Sequence, residues 1–463
     1  MPRRRRPPRC DLPGLAPSPA VDDRADSPAP AEGQPPLLGA KAALHDAVEL
    51  TVELIEEGHA SAGRQVKRLL SLLAPGTPLP GLVDEVRRQV TAATLGSVRV
   101  ANRTVEALTD QAIEAATAAA LLPWLERPGA PIPIRSDVLG SAPWLADAAI
   151  GALNGIAGDH LERQGNGLDL GLVLRHGDRY LAGDDVAAEL PFSGPRRRLA
   201  VFVHGLATTE WSWAWEAARH HGDPGHHFGA LLERDLGMTP IFVRYNTGRR
   251  IPASGDLLDQ ALERRFVAQP VDDILLVGHS MGGLVARSAC DQGFRRRHRW
   301  VDRLSQVVCL GSPHGGAPLE KLGHLLTAVL AGIDHPATRI PAALLRRRSA
   351  GIRDLRHGDL APTAAVPDGA ATGEREVPLL GHVAYGFAAA TATHDPQNPL
   401  AHVVGDTLVR VPSAAGVGLR RGLATVENAC FGGVLHHQLQ VHPEVYAWLR
   451  RLASRDDGPP PPP

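Results

Sequence analysis

Several features that mark large protein classes are scarce in this chain of 463 residues. Lysine occurs only at Lys41, Lys67 and Lys321, and the formal net charge is −1, so no overall basic field attracts nucleic acid or anionic lipid. No segment has the roughly 18 consecutive apolar residues that cross a bilayer. The basic N-terminus is followed by proline-rich sequence instead of an apolar segment, which predicts no signal peptide and a cytoplasmic location.

Cysteine is scarce as well, and the four cysteines form no CxxC pair. Neither a disulfide framework nor a zinc site is therefore indicated. Cys290 and Cys309 fall in apolar segments and are expected to be small buried core residues. Two histidine pairs, His220–His221 and His226–His227, flank a turn of Gly, Asp and Pro and are expected in a solvated loop. We predict no metal and no organic cofactor.

Composition divides the chain into segments. Residues 1–38 and 456–463 are proline-rich and are expected to be disordered tails. Residues 41–165 have apolar residues at helical spacing and no strand pattern, which predicts an all-helical module. Residues 168–455 predict an α/β domain, with an insertion near 317–371 that is expected to form a cap or lid.

Short apolar strands alternate with helical segments after residue 168. Such near-continuous apolar strands predict a mostly parallel sheet with helices on both faces. The first two segments, 169–175 and 178–181, are interpreted as a strand pair at the sheet edge. The remaining predicted strands are 199–203, 240–245, 274–277, 307–310, 382–387 and 425–431.

The strand 274–277 leads directly into Gly278-His279-Ser280-Met281-Gly282-Gly283. This is the G-x-S-x-G pattern of a nucleophile elbow, a sharp turn between a strand and a helix. Glycines on both sides of the serine remove side chains that would collide with neighbouring backbone. The helix that follows directs its N-terminus at the reaction centre, where negative charge is stabilised. Ser280 is therefore the candidate nucleophile.

A serine nucleophile needs a base and an orienting acid, which follow it in this chain order in hydrolases with such an elbow. We predict Asp406 as the acid, with Asp395 as the alternative. Two adjacent histidines, His436 and His437, compete for the role of the base, while His442 is expected to begin the last helix.

An oxyanion hole requires two backbone N–H groups that converge on the developing alkoxide. Met281, directly after the serine, is one predicted donor, and Leu206, in the loop after strand 199–203, is the other. His204 precedes that loop and is expected to be structural. Four residues are candidates to line the site: His204, His279, Trp211 and His314.

These segments together resemble α/β-hydrolases of the bacterial esterase/lipase group, and within it the branch related to GPI-inositol deacylase, the PGAP-like hydrolases. The motifs that carry the resemblance are Phe202–Leu206, Gly278–Gly283, Leu310–Glu320, Gly405–Val409 and His436–Pro443. In that group the catalytic histidine typically precedes a Leu three residues later and a His-Pro shortly afterwards. His436, Leu439 and His442-Pro443 match this pattern, so the resemblance favours His436 over His437.

The resemblance implies hydrolysis of a small-molecule or lipid carboxylic ester, without metal or organic cofactor. It covers residues 168–455 and assigns no function to the helical module. Two alternatives remain from the sequence: an acyltransferase on the same fold, and a non-catalytic binding protein that uses the helical module. The sequence predicts no nucleic-acid partner and gives no oligomeric state.

Overall fold

A parallel sheet forms the centre of the computed structural model. The model describes residues 142–181, 189–192, 194–316, 349–357, 360, 377–391, 393, 409, 411–416, 419 and 422–454. The two predicted tails, most of the helical module and most of the insertion lie outside these residues.

The described strands and helices alternate through most of the chain. The strands are β1 (Leu172–His176), β2 (Arg179–Leu181), β3 (Arg198–Val203), β4 (Met238–Tyr245), β5 (Asp273–His279), β6 (Leu304–Leu310), β7 (Ala384–Thr391) and β8 (Val426–Gly432). The α-helices are α1 (Ala142–Arg163), α2 (Ala217–His221), α3 (Phe228–Leu236), α4 (Ile251–Ala268), α5 (Met281–Arg296), α6 (Ala350–His357), α7 (Val411–Ala414) and α8 (Pro443–Ala453). Short 3₁₀ helices cover Glu210–Ala214, Arg299–Arg303 and His436–Gln440.

The eight strands form one sheet in the order β2-β1-β4-β3-β5-β6-β7-β8. The six strands from β4 to β8 along this order are parallel, whereas β1 runs antiparallel to both β4 and β2. The predicted mostly parallel α/β sheet is therefore confirmed. The predicted edge pair is also present, with β2 as the edge strand.

Apolar residues on both faces of the sheet bury it between two layers of helices. Along β3, Leu199, Val201 and Val203 belong to the core on the face covered by α1, α4 and α5. Ala200 and Phe202 belong to the core on the opposite face, which α3 and α8 cover. Strands that are buried on both faces have no polar alternation, which is why they appear as continuous apolar runs in the sequence.

Helix α1 is the described part of the predicted helical module, and it is bonded directly to the sheet domain. The side chain of Asn154 donates to the Leu168 carbonyl at 2.8 Å and accepts from the Leu170 N–H at 3.1 Å. The Asn246 side chain, after β4, donates to the Gly158 carbonyl at 2.8 Å. These hydrogen bonds hold α1 against the segment before β1 and the loop after β4.

Among the described helices, none is long and apolar enough to cross a membrane. The two cysteines expected in the core, Cys290 and Cys309, are buried as predicted.

Close packing at the start of α5 yields a stability prediction. A Cβ at Gly282 would collide with the backbone carbonyl of Val203, so Gly282→Ala must displace α5 or β3. We expect it to lower the free energy of unfolding by about 1–3 kcal/mol, measured by urea denaturation. Gly381→Ala is the control, because its Cβ would have no neighbour closer than 3.4 Å. Equal stability of the two variants would contradict this packing.

Candidate active site

Ser280 occupies a sharp turn between β5 and α5. Its backbone has φ 52° and ψ −124°, a conformation that residues other than glycine rarely adopt. The turn is held from both sides, because the Ser280 N–H donates to the Leu310 carbonyl at 2.8 Å and its carbonyl accepts from the Gly283 N–H at 3.2 Å. Such a strained backbone persists only where its surroundings enforce it, and it is typical of functional sites.

Glycines on both sides of Ser280 allow this geometry. A Cβ at Gly278 would collide with the backbone of Gly283, and a Cβ at Gly282 with that of Val203. The first turn of α5 therefore lies in direct contact with the end of β3. The turn has the strand, serine, glycines and helix of a nucleophile elbow.

The loop after β3 passes close to the serine. A Cβ at Gly205 would lie 3.1 Å from the Cβ of Ser280 and 3.2 Å from Nδ1 of His279. Leu206, the next residue, and Met281, the first residue of α5, are both buried. The backbone segments of the two predicted oxyanion donors thus approach each other at Ser280.

His204 holds this loop in place through hydrogen bonds to backbone. Its Nε2 accepts from the Tyr245 N–H at 3.4 Å, so Nδ1 carries the proton and donates to the Gly205 carbonyl at 3.0 Å. Burial lowers the pKa of His204 to about 4, so the ring is neutral near pH 7. Both ring nitrogens are engaged with backbone, which leaves this histidine in a structural position.

His279, directly before the serine, fixes the position of the loop after β8. Its Nε2 donates to the backbone carbonyl of His436 at 3.0 Å, and the two rings are 4.8 Å apart. Burial, followed by the neighbouring His436, lowers the pKa of His279 well below its usual value. A neutral His279 is therefore a permanent hydrogen-bond donor that ties the elbow to His436.

The two adjacent histidines point to different surroundings. The His436 ring is buried against the backbone of Gly311, where an added Cβ would lie 3.0 Å from its Cε1. Gly311 follows Leu310, whose carbonyl accepts from Ser280, so the His436 imidazole lies beside the elbow. The His437 ring instead lies 5.9 Å from the Trp215 ring, and its Nε2 is 3.6 Å from a Glu216 carboxylate oxygen. Of the pair, His436 is the one whose ring lies against the backbone next to the elbow.

Other predicted site residues have different positions. Asp406 and its alternative Asp395 lie outside the described residues. Nδ1 of His314 is 3.1 Å from the Arg287 guanidinium, its ring is 4.9 Å from that of Phe387, and burial lowers its pKa well below the usual value. No described contact joins His314 to Ser280. The ring of Trp211 lies under the Arg175 guanidinium, 4.0 Å from its centre.

The histidine pairs of the predicted solvated loop are more ordered than expected. His220 and His221 belong to α2, and His221 hydrogen-bonds to the Val441 carbonyl at 2.7 Å. His227 caps α3 by accepting from the Ala230 N–H, and burial lowers its pKa to about 3. His226 is exposed in a loop as predicted, whereas the loop prediction was wrong for His220 and His221, because a helix this short leaves little periodic signal. Within the described part of the chain, no group of three or more His, Cys, Asp or Glu side chains could hold a metal ion.

An apolar cleft opens beside the predicted oxyanion loop. Its empty volume is about 360 Å³ including the part open to solvent. It is lined by Trp144, Ala148, Ala207, Thr208, Thr209, Trp211, Ser212 and Trp215. Two of these residues come from α1, and the others come from the segment that begins directly after Leu206. The sequence indicated Trp211 as a candidate lining residue. It gave no sign that α1 lies at this cleft, because α1 and Trp211 are far apart along the chain.

A buried charge network behind the same loop was missed altogether. Glu210 accepts from the Tyr180 hydroxyl at 2.6 Å and pairs with Arg244 at 3.0 Å and Arg175 at 3.5 Å. Arg244 also pairs with Asp147 of α1 at 2.7 Å. Its members come from five separate elements, so no local pattern in the sequence reveals it. A single charged residue in each buried strand, Arg175 in β1 and Arg244 in β4, was the available signal.

A family model agrees with this geometry. The model described as the PGAP1-like alpha/beta domain matches residues 246–334, a segment that includes β5, the elbow, α5 and β6. The predicted resemblance is confirmed. Together with the sheet order and the elbow, it identifies the fold of the described domain as that of an α/β-hydrolase. No curated protein matches the chain.

Solved structures of similar architecture are distant in sequence. Bacillus licheniformis lipase BlEst2 in its mature form is 18% identical with a TM-score of 0.39, and the alignment covers 57% of this chain and 95% of that one. The RedJ thioesterase of the prodiginine biosynthetic pathway of Streptomyces coelicolor is 17% identical with a TM-score of 0.34, covering 58% and 94%. A lipase-esterase related protein from Clostridium acetobutylicum is 13% identical with a TM-score of 0.32, covering 56% and 94%.

Buried neutral histidines predict an acid-sensitive fold. An unfolded His titrates near pH 6.5, whereas His204 titrates near pH 4 in the folded chain, so the unfolded state binds more protons between these values. The contribution of His204 to the free energy of unfolding is fully present above pH 6.5 and decreases toward pH 4, by up to about 3 kcal/mol. Urea denaturation from pH 4 to 8 measures this slope.

His204→Gln is expected to reduce the slope of the free energy of unfolding against pH by an amount that corresponds to at most one bound proton. His226→Gln, at an exposed position, is the control and is expected to leave this slope unchanged. A slope that is identical in native chain and His204→Gln would show that His204 is not buried in the neutral form.

Proposed function

We propose that the chain is a serine carboxylic-ester hydrolase that forms an acyl-enzyme on Ser280. The observation that carries this proposal is that three segments lie close together: the strained Ser280 turn, the Gly205 backbone next to its Cβ, and His436, whose backbone carbonyl accepts from His279 and whose buried ring lies against Gly311. A serine at a strained elbow, a close backbone approach and a histidine are the parts that acyl transfer requires.

In the proposed reaction, His436 removes the proton of the Ser280 hydroxyl while its oxygen attacks the ester carbonyl. The carbonyl oxygen becomes an oxyanion that accepts hydrogen bonds from the N–H groups of Leu206 and Met281. Asp406 orients His436 and stabilises the imidazolium. His436 then donates its proton to the departing alcohol, and the acyl group remains on Ser280.

Water completes the cycle. His436 accepts a proton from a water molecule as that water attacks the acyl-enzyme, and the proton then returns to the Ser280 oxygen when the acid leaves. The N-terminus of α5 adds a partial positive charge at the oxyanion in both steps. No step requires a metal ion or an organic cofactor.

The triad assignment is tested by hydrolysis of p-nitrophenyl butyrate. We expect Ser280→Ala and His436→Ala to lower kcat by at least about 10³-fold, and Asp406→Asn by about 10²–10⁴-fold. His437→Ala is the matched control for His436→Ala and should change kcat by less than about tenfold. Wild-type activity in Ser280→Ala would overturn the proposal, and loss of activity in His437→Ala alone would reverse the choice of histidine.

Added alcohol distinguishes hydrolysis from acyl transfer on the same fold. We expect the free acid as the main product when the acyl-enzyme can react with water or with an added short alcohol. Predominant ester product at low alcohol concentration would assign an acyltransferase instead. Absence of any acyl-enzyme would favour a binding protein.

The apolar cleft beside the oxyanion loop supports an ester with an apolar acyl chain. The residues that line it include Trp144, Trp211, Trp215 and Ala207, and Ala207 directly follows the predicted donor Leu206 in the chain. Each methylene that such a wall removes from water contributes about 0.8 kcal/mol. The cleft therefore favours acyl chains that reach it over acetate.

Trp144→Ala is expected to weaken this chain-length preference. The ratio of kcat/KM for p-nitrophenyl hexanoate to that for the acetate should fall by about three- to tenfold, since part of the wall is lost. Leu423→Ala is the control, because this side chain is 92% exposed. An unchanged ratio in Trp144→Ala would place the acyl chain elsewhere.

A further inference from the structure

Helix α1 contacts the oxyanion loop through backbone, because glycines line its contact face. A Cβ at Gly155 would lie 2.6 Å from the Ala207 Cβ and 2.7 Å from its Cα, and a Cβ at Gly151 would lie 3.1 Å from the Thr208 carbonyl carbon. Only glycine allows this separation. Ala207 itself has φ 61°, so the loop adopts a backbone conformation that depends on its surroundings.

The buried charge network anchors the other end of the same loop. Glu210 begins the 3₁₀ helix that follows the loop, and it is fully buried between Arg244 and Arg175. Asp147 of α1 shares Arg244 with Glu210. One guanidinium of β4 thus joins α1 to the segment after the predicted donor Leu206.

Electrostatic attraction holds Glu210 in place beside β4. Burial alone raises the pKa of Glu210, but Arg244 and Arg175 outweigh it and hold the pKa below its usual value. Glu210 is therefore ionised near pH 7, and it must stay within reach of both guanidinium groups. Because an unpaired buried charge is strongly unfavourable, a shift of Glu210 away from β4 is strongly opposed.

We propose that α1 is a positioning element of the active site, which holds residues 205–209 where the Leu206 N–H meets the oxyanion. It acts through the close packing at Gly155 and through the contacts that link Asp147, Arg244 and Glu210. The inference rests on the proposed ester hydrolysis and gives α1 a role in catalysis. The residues act through the loop and do not touch the substrate.

Gly155→Ala in the full-length chain tests the proposal. The added methyl group displaces the loop, so kcat for p-nitrophenyl butyrate is expected to fall about 10- to 100-fold with KM changed less than threefold, because an oxyanion donor acts in the transition state. Adding Ala207→Gly to Gly155→Ala removes the nearest colliding atom. This double variant is expected to have a kcat at least threefold higher than that of Gly155→Ala.

Gly229→Ala is the matched control. Gly229 lies in α3 on the opposite face of the sheet, where an added Cβ would meet the Phe242 ring at 2.7 Å and Pro240 at 2.9 Å. It should lower Tm to a similar extent and leave kcat within twofold. Equal loss of kcat in Gly229→Ala and Gly155→Ala would reduce the effect to general destabilisation and overturn the proposal.

Asp147→Asn tests the contact between Asp147 and Arg244 without adding volume. It is expected to lower kcat about three- to tenfold with little change in KM, and Asp147→Glu should recover part of this loss. Unchanged kcat in both Asp147→Asn and Gly155→Ala would overturn the role of α1.

Amide hydrogen exchange separates this inference from the hydrolase proposal. Exchange of residues 205–209 should accelerate at least tenfold in Gly155→Ala and not in Gly229→Ala, whether or not the native chain cleaves esters. Faster exchange with an inactive native chain would support positioning by α1 while the hydrolase proposal fails. Unchanged exchange in Gly155→Ala would overturn positioning even if the native chain is an active esterase.

Discussion

The close contact between the first turn of α5 and the end of β3 is the constraint on which the rest of the site depends. Gly282 lies against the Val203 carbonyl, and Gly278 lies against Gly283, so no side chain fits between these backbones. This contact forces the Ser280 backbone to a positive φ and presents the serine at the carboxyl edge of the sheet. The same contact brings the loop that continues from β3 to the serine. The positions of the proposed nucleophile and of the predicted oxyanion donors are therefore set by one packing arrangement.

Two buried histidines hold the segments around this contact in place. His204 holds the loop after β3 through backbone bonds, and His279 holds the carbonyl of His436. Burial keeps His204 and His279 neutral, so their hydrogen bonds do not change with proton uptake near pH 7. Histidine in this site is mainly a structural donor and acceptor, and His436 is the one placed for proton transfer in the proposed reaction.

The architecture was accessible from sequence where the signal is local. Strands buried on both faces appear as apolar runs, and the elbow combines a strand, a serine and glycines within ten residues. Strand ends shifted by one to a few residues: β7 covers Ala384–Thr391 where 382–387 was predicted, because small alanines carry no apolar signal. Helix α8 begins at Pro443 after His442, as expected.

Features that join distant segments were not accessible. Glu210 and Asp147 each look like an ordinary surface charge in the sequence, and only the fold buries them together with Arg244 of β4. The choice between His436 and His437 also depended on the resemblance, since adjacent residues share every local signal. Their ring environments separate them once β8 and the following 3₁₀ helix are in place. The proposed acid, Asp406, rests on chain order and the resemblance alone.

Covalent labelling of the full-length chain by diethyl p-nitrophenyl phosphate tests the central claim most directly. This reagent transfers a diethylphosphoryl group to a serine that is activated by a base and faces an oxyanion hole. Intact mass and peptide mapping are expected to show one added group per chain, on Ser280, with loss of esterase activity in step and no labelling of Ser280→Ala. Complete inactivation with the group on another residue, or an active esterase that remains unlabelled, would contradict the assignment of Ser280 as the nucleophile.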